Sequence, residues 1–246
     1  MAYEQLADAL GIAGAVMVQP SPYGLDNSRT LAAMSECRIP TRGVVVLNPS
    51  VTDEVLDAYH EHGVRGIRIN LVTGGGLALQ EAQAIAARIR GRGWHLQILA
   101  DVSRLENLPA LVGSLGLPVV FDHLGHVPVA KGVADTGFQA LLALVRDGAA
   151  WVKLSGTYRM TTRAIPPYED VRPFMDALVD AAPSRLVWGT DWPHPIISVP
   201  MPDDGDLLDQ FGEWLTDETL RNAILVDNPA CLYGFPRLFN QTNSAM

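Results

Sequence analysis

The sequence predicts an α/β fold, a TIM-type (β/α)8 barrel lacking its first strand, and three observations predict it. Short apolar runs alternate with amphipathic stretches about seven times at near-constant spacing, the pattern of right-handed parallel βαβ units. No linker-like stretch interrupts them, so residues 1–246 read as a single domain, incomplete at its amino end, with 237–246 as a disordered tail. Polar residues stand at the carboxyl end of nearly every strand: Gln19 with Ser21, Asn48, Arg68 with Asn70, Gln97, His123, Ser155 and Asp191. An open sheet gathers its ligands at one switch point, whereas a closed ring of strands aims every carboxyl end at one mouth, and the ring fits this distribution better. Eight strands are one more than the chain supplies, and the chain opens on a helix with no strand before it.

In order, Tyr3 to Leu10 reads as the end of a helix with Leu6, Ala9 and Leu10 on one face and Gly11 as its stop. The strand AGAVMVQ, a loop from Pro20 to Asn27, a helix from Arg29 to Cys37 and the strand GVVVLNP follow. Thr52 to His62 is a helix with Val55, Leu56 and Tyr59 inward, Asp53 and Glu54 at its positive end and Gly63 as its stop. Then come the strand VRGIRIN, the glycine-rich turn Thr73 to Gly76 and a helix from Leu77 to Ile89. The series continues with WHLQILA, helix Ser103 to Leu115, LPVVFDH, helix Thr136 to Arg146, AWVKLSG, helix Tyr168 to Ala181, and the closing strand RLVWGTD.

Composition narrows the function. A hydrophobic share of 48% with 18% charged residues is a normal globular balance. The net charge of -9 argues against nucleic-acid binding, which needs clustered Lys and Arg. Cys37 and Cys231 form no Cys-x-x-Cys pair, so neither a disulfide scaffold nor a thiolate metal site is expected, and reduced cytoplasmic thiols are the simpler reading. The amino terminus has neither a basic n-region nor a long apolar core, so no membrane anchor is expected.

The densest chemistry lies in VWGTDWPHP, Val187 to Pro195, where a buried strand ends by projecting Asp191 and His194 on a loop that Pro193 and Pro195 stiffen. A lone Asp-x-x-His is more often a turn cap and a surface histidine; the other strand ends shift the balance. His123 closes its strand, on the same face as Phe121 by period-two alternation and opposite Asp122, and reads equally as a structural or a mouth-facing histidine. His126 is the weaker candidate, and His95, at a strand's start, belongs to the far rim. Arg68 and Arg159 sit where a guanidinium can grip a carboxylate, which suggests an anionic substrate; ion pairing with the chain's own acids is the alternative for Arg159. Lys153 reads as structural and, being inward, needs an acid partner or a depressed pKa. His60 and His62 have the spacing of a metal pair, but at a helix end their side chains diverge, and no metal is assigned to them. Gly74 to Gly76 lacks the phosphate-binding patterns and reads as a loop at the mouth, and no Gly-x-Ser-x-Gly elbow is present.

The set GIRIN, WHLQIL, PVVFDHLG, VKLSG and GTDWPHP, in that order, resembles the second amidohydrolase family, most of all its lactone-opening members that act on 2-pyrone-4,6-dicarboxylate. The likeness covers almost the whole chain, from QPSPYGLDN to DNPACLYGF. It implies that Asp191 takes a proton from water, that His123 polarises the carbonyl, and that Arg68, Arg159, Ser21 and, second in line, His194 contact a small carboxylate substrate. Three departures accompany it: the family's amino-terminal His-x-His strand is absent, its second arginine after GIR corresponds to Gly74, and its tyrosine on the next strand corresponds to Leu99. The resemblance therefore implies weak activity and no cofactor, since His123 and Asp191 alone are too few for zinc unless a His-x-His strand is supplied. A metal-dependent decarboxylase and a non-catalytic carboxylate-binding barrel are the other readings, and homo-oligomerisation is open.

Overall fold

The computed structural model describes residues 2–72 and 79–236. The run Gly74 to Gly76 and the tail 237–246 lie outside the described residues. The chain alternates α1 (Ala2–Leu10), β1 (Ala15–Val18), α2 (Ser28–Glu36), β2 (Thr41–Val45), α3 (Asp53–Glu61), β3 (Val64–Asn70), α4 (Leu79–Ile89) and β4 (His95–Leu99). It continues through α5 (Leu108–Leu115), β5 (Val119–Phe121), α6 (Thr136–Arg146), β6 (Ala150–Leu154), α7 (Arg172–Ala181) and β7 (Leu186–Trp188). Three further helices follow among the described residues, α8 (Asp204–Trp214), α9 (Glu218–Asn222) and α10 (Asn228–Tyr233).

The expected architecture holds. Seven strands form one parallel sheet in the order β1 to β7, curled with helices outside, and among the described strands β1 and β7 are its edges. The main core lies between sheet and helices, where Ile67, Ile69, Leu96, Ile98 and Phe121 meet Leu56, Ile85, Phe138 and Phe174. A second, smaller cluster fills the inside of the curl: Val120, Trp151 and Val187 close on Tyr233, which α10 delivers. Gly66 makes room there, since a Cβ on it would sit 2.5 Å from the buried His95 ring, which meets Tyr233 edge-on at 5.3 Å. His95 thus lies inside the curl, at the amino-terminal end of β4, and burial pulls its imidazole down to about 4.

Several boundaries differ from expectation for local reasons. β5 stops at Phe121 because His123 and Leu124 take left-handed backbone, at φ 49° and 53°. The helix expected from Ser103 begins at Leu108, where the Asn107 side chain caps the Ala110 amide at 3.3 Å, and residues 102–104 form a separate turn. The helix expected from Tyr168 begins at Arg172. Val55 points to solvent, since the buried stripe of α3 is centred on Leu56. His60 and His62 diverge as expected: His60 Nδ1 accepts from Trp94 Nε1 at 2.9 Å, and His62 Nε2 meets Ser35 Oγ at 3.0 Å.

Candidate active site

The carboxyl ends of the strands open into a cavity of about 1120 Å³ that runs from Asp191 and His123 down to Tyr233 and Phe235, alongside the β1 edge. Two loops build its chemical end, the turn after β5 and the loop after β7. Among the described residues, six of the seven non-glycine residues with positive φ lie on them, namely His123, Leu124, His126, Asp191, His194 and Ile196, the seventh being Asn107. Left-handed backbone costs about 1–3 kcal/mol at such residues and persists only where surrounding contacts over-determine it.

At His123 that backbone decides the geometry. Alternation along β5 would send His123 outward with Phe121; the left-handed turn swings it to the cavity instead, while Asp122, expected on the opposite face, points inside the curl. There Asp122 Oδ1 accepts from Lys153 Nζ and from Gln97 Nε2, each at 2.9 Å. Lys153 therefore has the acid partner its position demands, and it also lines the cavity. Burial works against ionisation of Asp122, but Lys153, His123 and Arg68 outweigh it and hold the carboxyl well below the usual carboxylate range.

His123 is buried, with Nδ1 3.0 Å from Ser155 Oγ and Nε2 3.8 Å from Asp191 Oδ1. Burial pulls its imidazole down to about 4, so the ring is neutral at pH 7. The carboxylate opposite Nε2 favours the tautomer with its proton there, leaving Nδ1 to accept from the serine. The two oxygens of Asp191 have different surroundings. Oδ2 accepts from Arg159 Nε at 2.6 Å and from the Tyr158 hydroxyl at 2.5 Å, whereas Oδ1 faces His123. Burial pushes the Asp191 carboxyl up, and His123, Arg159 and Tyr158 more than reverse it, holding it below its ordinary value.

The remaining residues divide. Arg68 lines the cavity and its buried Nε has no partner among the described residues. Ser21 also lines it, its Oγ accepting from Asn70 Nδ2 at 2.5 Å. Arg159 reaches the cavity, but its Nε holds Asp191, its Nη2 donates to Pro195 O at 3.0 Å and its Nη1 to Ile196 O at 3.4 Å. The ion-pair alternative is the one the geometry realises, so Arg159 fastens the loop where a carboxylate anchor was expected. His194 differs too: it is buried and absent from the cavity lining, with Nδ1 3.0 Å from the Tyr158 hydroxyl and Nε2 3.2 Å from Asp204 Oδ2. His126 lines the cavity 6.1 Å, centroid to centroid, from His123. Sequence reasoning missed Tyr158 and Asp204. Tyr158 adjoins Arg159, a usable signal; Asp204 looks like any acid opening a helix, and only tertiary packing brings it to His194.

A parallel curled α/β sheet with a carboxylate and an imidazole facing each other at its carboxyl-terminal mouth defines a class of barrel enzyme, and the chain belongs to the amidohydrolase family, whose profile it matches over residues 1–235. It is 37% identical over 237 residues to a 4-sulfomuconolactone hydrolase of Rhizobium radiobacter, covering 94% of this chain and 79% of that one. It is 36% identical to a 2-pyrone-4,6-dicarboxylate hydrolase of Comamonas testosteroni, covering 93% and 78%, and 33% identical to a D-galactarolactone isomerase of Agrobacterium fabrum, covering 94% and 80%. Among solved structures, an Agrobacterium tumefaciens protein in its apo form superposes with a TM-score of 0.87 at 30% identity, covering 96% of this chain and 85% of that one. An Acinetobacter baumannii protein, named a probable 2-pyrone-4,6-dicarboxylic acid hydrolase and holding citric acid, gives 0.84 at 26%, covering 95% and 88%.

Proposed function

We propose that the protein is a hydrolase that opens a carboxylate-bearing lactone or similar cyclic ester. The observation that carries the reading is the division of labour at Asp191, with Oδ2 saturated by Arg159 and Tyr158 and Oδ1 left facing His123 Nε2 across 3.8 Å. Water attacks the lactone carbonyl while Oδ1 accepts its proton. Charge that develops on the carbonyl oxygen meets the His123 Nε2–H, a neutral donor held by Ser155. The tetrahedral adduct then collapses, the ring C–O bond breaks, and the leaving oxygen takes the proton from Asp191. Arg68, which lines the cavity and whose buried Nε has no partner among the described residues, holds the substrate carboxylate with Ser21 beside it. The names of the hydrolase relatives and the citric acid in a structural neighbour support a carboxylate-bearing substrate.

The donor set does not fit zinc. Among the described residues no group of three or more His, Cys, Asp or Glu side chains is placed to hold a metal, and Asp191 Oδ2 is already engaged. The proposed reaction accordingly runs without a metal step.

Purified protein is to be incubated with a panel of carboxylate-bearing lactones, ring opening followed by acid release and products by NMR. Ring opening that chelators leave unchanged is the expected result. Product mass separates hydrolysis, which adds one water, from an isomerisation such as that named for the Agrobacterium fabrum relative. Chelator-sensitive release of CO₂, or binding of lactones without turnover, overturns the reading in favour of a decarboxylase or a carboxylate-binding barrel.

A further inference from the structure

Behind Asp191 runs a chain of buried polar groups of which the hydrolytic reading uses only the first, Tyr158. The Tyr158 hydroxyl lies 2.5 Å from Asp191 Oδ2 and 3.0 Å from His194 Nδ1, and His194 Nε2 lies 3.2 Å from Asp204 Oδ2. Tyr158 and His194 are 3% exposed and Asp204 7%. With Asp191 and Asp204 both taken as carboxylates, counting protons along this chain gives its direction. An ionised carboxylate only accepts, so the single phenolic proton goes to Asp191. The Tyr158 oxygen then accepts from His194, which places a proton on Nδ1. Nε2 faces the Asp204 carboxylate, another acceptor, so it carries a proton as well.

We propose that Tyr158, His194 and Asp204 are positioning residues that aim Asp191, with His194 held as an imidazolium donating through Nδ1 to Tyr158 and through Nε2 to Asp204. Around His194 the titratable groups are Tyr158 from the turn after β6, Asp191 on its own loop and Asp204 in the first turn of α8; Tyr3 of α1 lies beyond Asp204, its hydroxyl raised first by burial and further by Cys37 and Asp204. Asp204 anchors the chain by two means: the amino end of α8, capped by Asp203 onto the Gly205 amide at 2.7 Å, favours a negative charge, and the imidazolium neutralises it. With Oδ2 of Asp191 fixed from behind, Oδ1 stays turned to His123.

The kinetic part of the test rests on the hydrolase reading; the spectroscopic part does not. In the NMR spectrum of protein carrying ¹⁵N-labelled histidine at pH 7, the His194 signal, assigned by its loss in His194→Asn, is expected to show both ring nitrogens protonated. One bare nitrogen overturns the proposal. In a lactone assay the asparagine and glutamine variants separate positioning from contact, since the Asn amide replaces Nδ1 and the Gln amide replaces Nε2. His194→Gln is expected to lower kcat ~10–100-fold with KM changed by less than about threefold, and His194→Asn to recover most of that loss. Tyr158→Phe, which removes the donor to Asp191 and the acceptor of His194 Nδ1 together, is expected to match His194→Gln. A raised KM at unchanged kcat, or equal losses in the Asn and Gln variants, overturns the proposal. If the unsubstituted protein opens no lactone, the hydrolase reading fails while the nitrogen spectrum still decides the placement of the protons.

Discussion

At the scale of single residues, the site works by giving the two ends of one carboxylate different jobs. Replacing Asp191 by Asn removes the base but leaves an amide that can still meet Arg159 and Tyr158, so the variant is expected to fold and to lose on the order of 10²–10⁴-fold in kcat in the ring-opening assay. Arg68 is of another kind: it lines the cavity, and its buried Nε has no partner among the described residues. Arg68→Met keeps much of the side chain's bulk and removes the charge; KM is expected to rise about 10- to 100-fold with kcat little changed. His123 protonates near pH 4, so kcat/KM is expected to climb as pH rises through about 4 and to be flat from about two units above that. A limb centred near pH 7 would contradict the burial that keeps the ring neutral.

Elements matter here through how closely they approach. β3 and β4 run side by side with Gly66 opposite His95 and Arg68 opposite Gln97, so the same pairing that places the cavity's arginine also needs a glycine two residues before it. A methyl group at Gly66 meets the His95 ring at 2.5 Å, and the ring, held by Tyr233 inside the curl, has little freedom to yield. Gly66→Ala is expected to destabilise the fold by ~1–3 kcal/mol in denaturant unfolding. The double variant Gly66→Ala, His95→Ala is expected to be more stable than the two single losses predict when added, because the second change makes room for the first. The loops after β5 and β7 show the opposite use of an element's end: both strands stop short so that left-handed residues can turn His123 and Asp191 toward each other.

For the whole molecule, the open order of the sheet and the buried charges set the response to acid. His95 and His123 are both fully buried with imidazoles lowered to about 4 from an ordinary 6.5. The unfolded chain binds their protons at a higher pH than the folded one, so stability is expected to be complete above 6.5 and to fall as pH drops toward 4. Asp122 and Asp191 titrate below the ordinary carboxylate value; their contribution is present above 3.8 and is lost as pH falls through their lowered folded values. Chemical denaturation across this range therefore registers the histidines first and the carboxylates second. A flat profile between 6.5 and 4 would show that those rings are hydrated in solution.

Periodicity and turn chemistry by themselves determined the seven-strand parallel order, the outer helices and the placing of Asp191, Arg68 and Ser21 at strand ends, because apolar alternation and glycine or proline punctuation act within a few residues of chain. Tertiary structure decided which polar atoms meet. The left-handed turn at His123 reversed the parity that alternation assigns to it, while Asp122, inward as alternation places it, met Lys153. Arg159 was drawn to Asp191 and the carbonyls of its loop, and His194 to Tyr158 and an acid ten residues on. Those choices belong to packing: a buried charge takes the partner that neighbouring elements bring within about 3 Å, and no spacing along the chain encodes that distance.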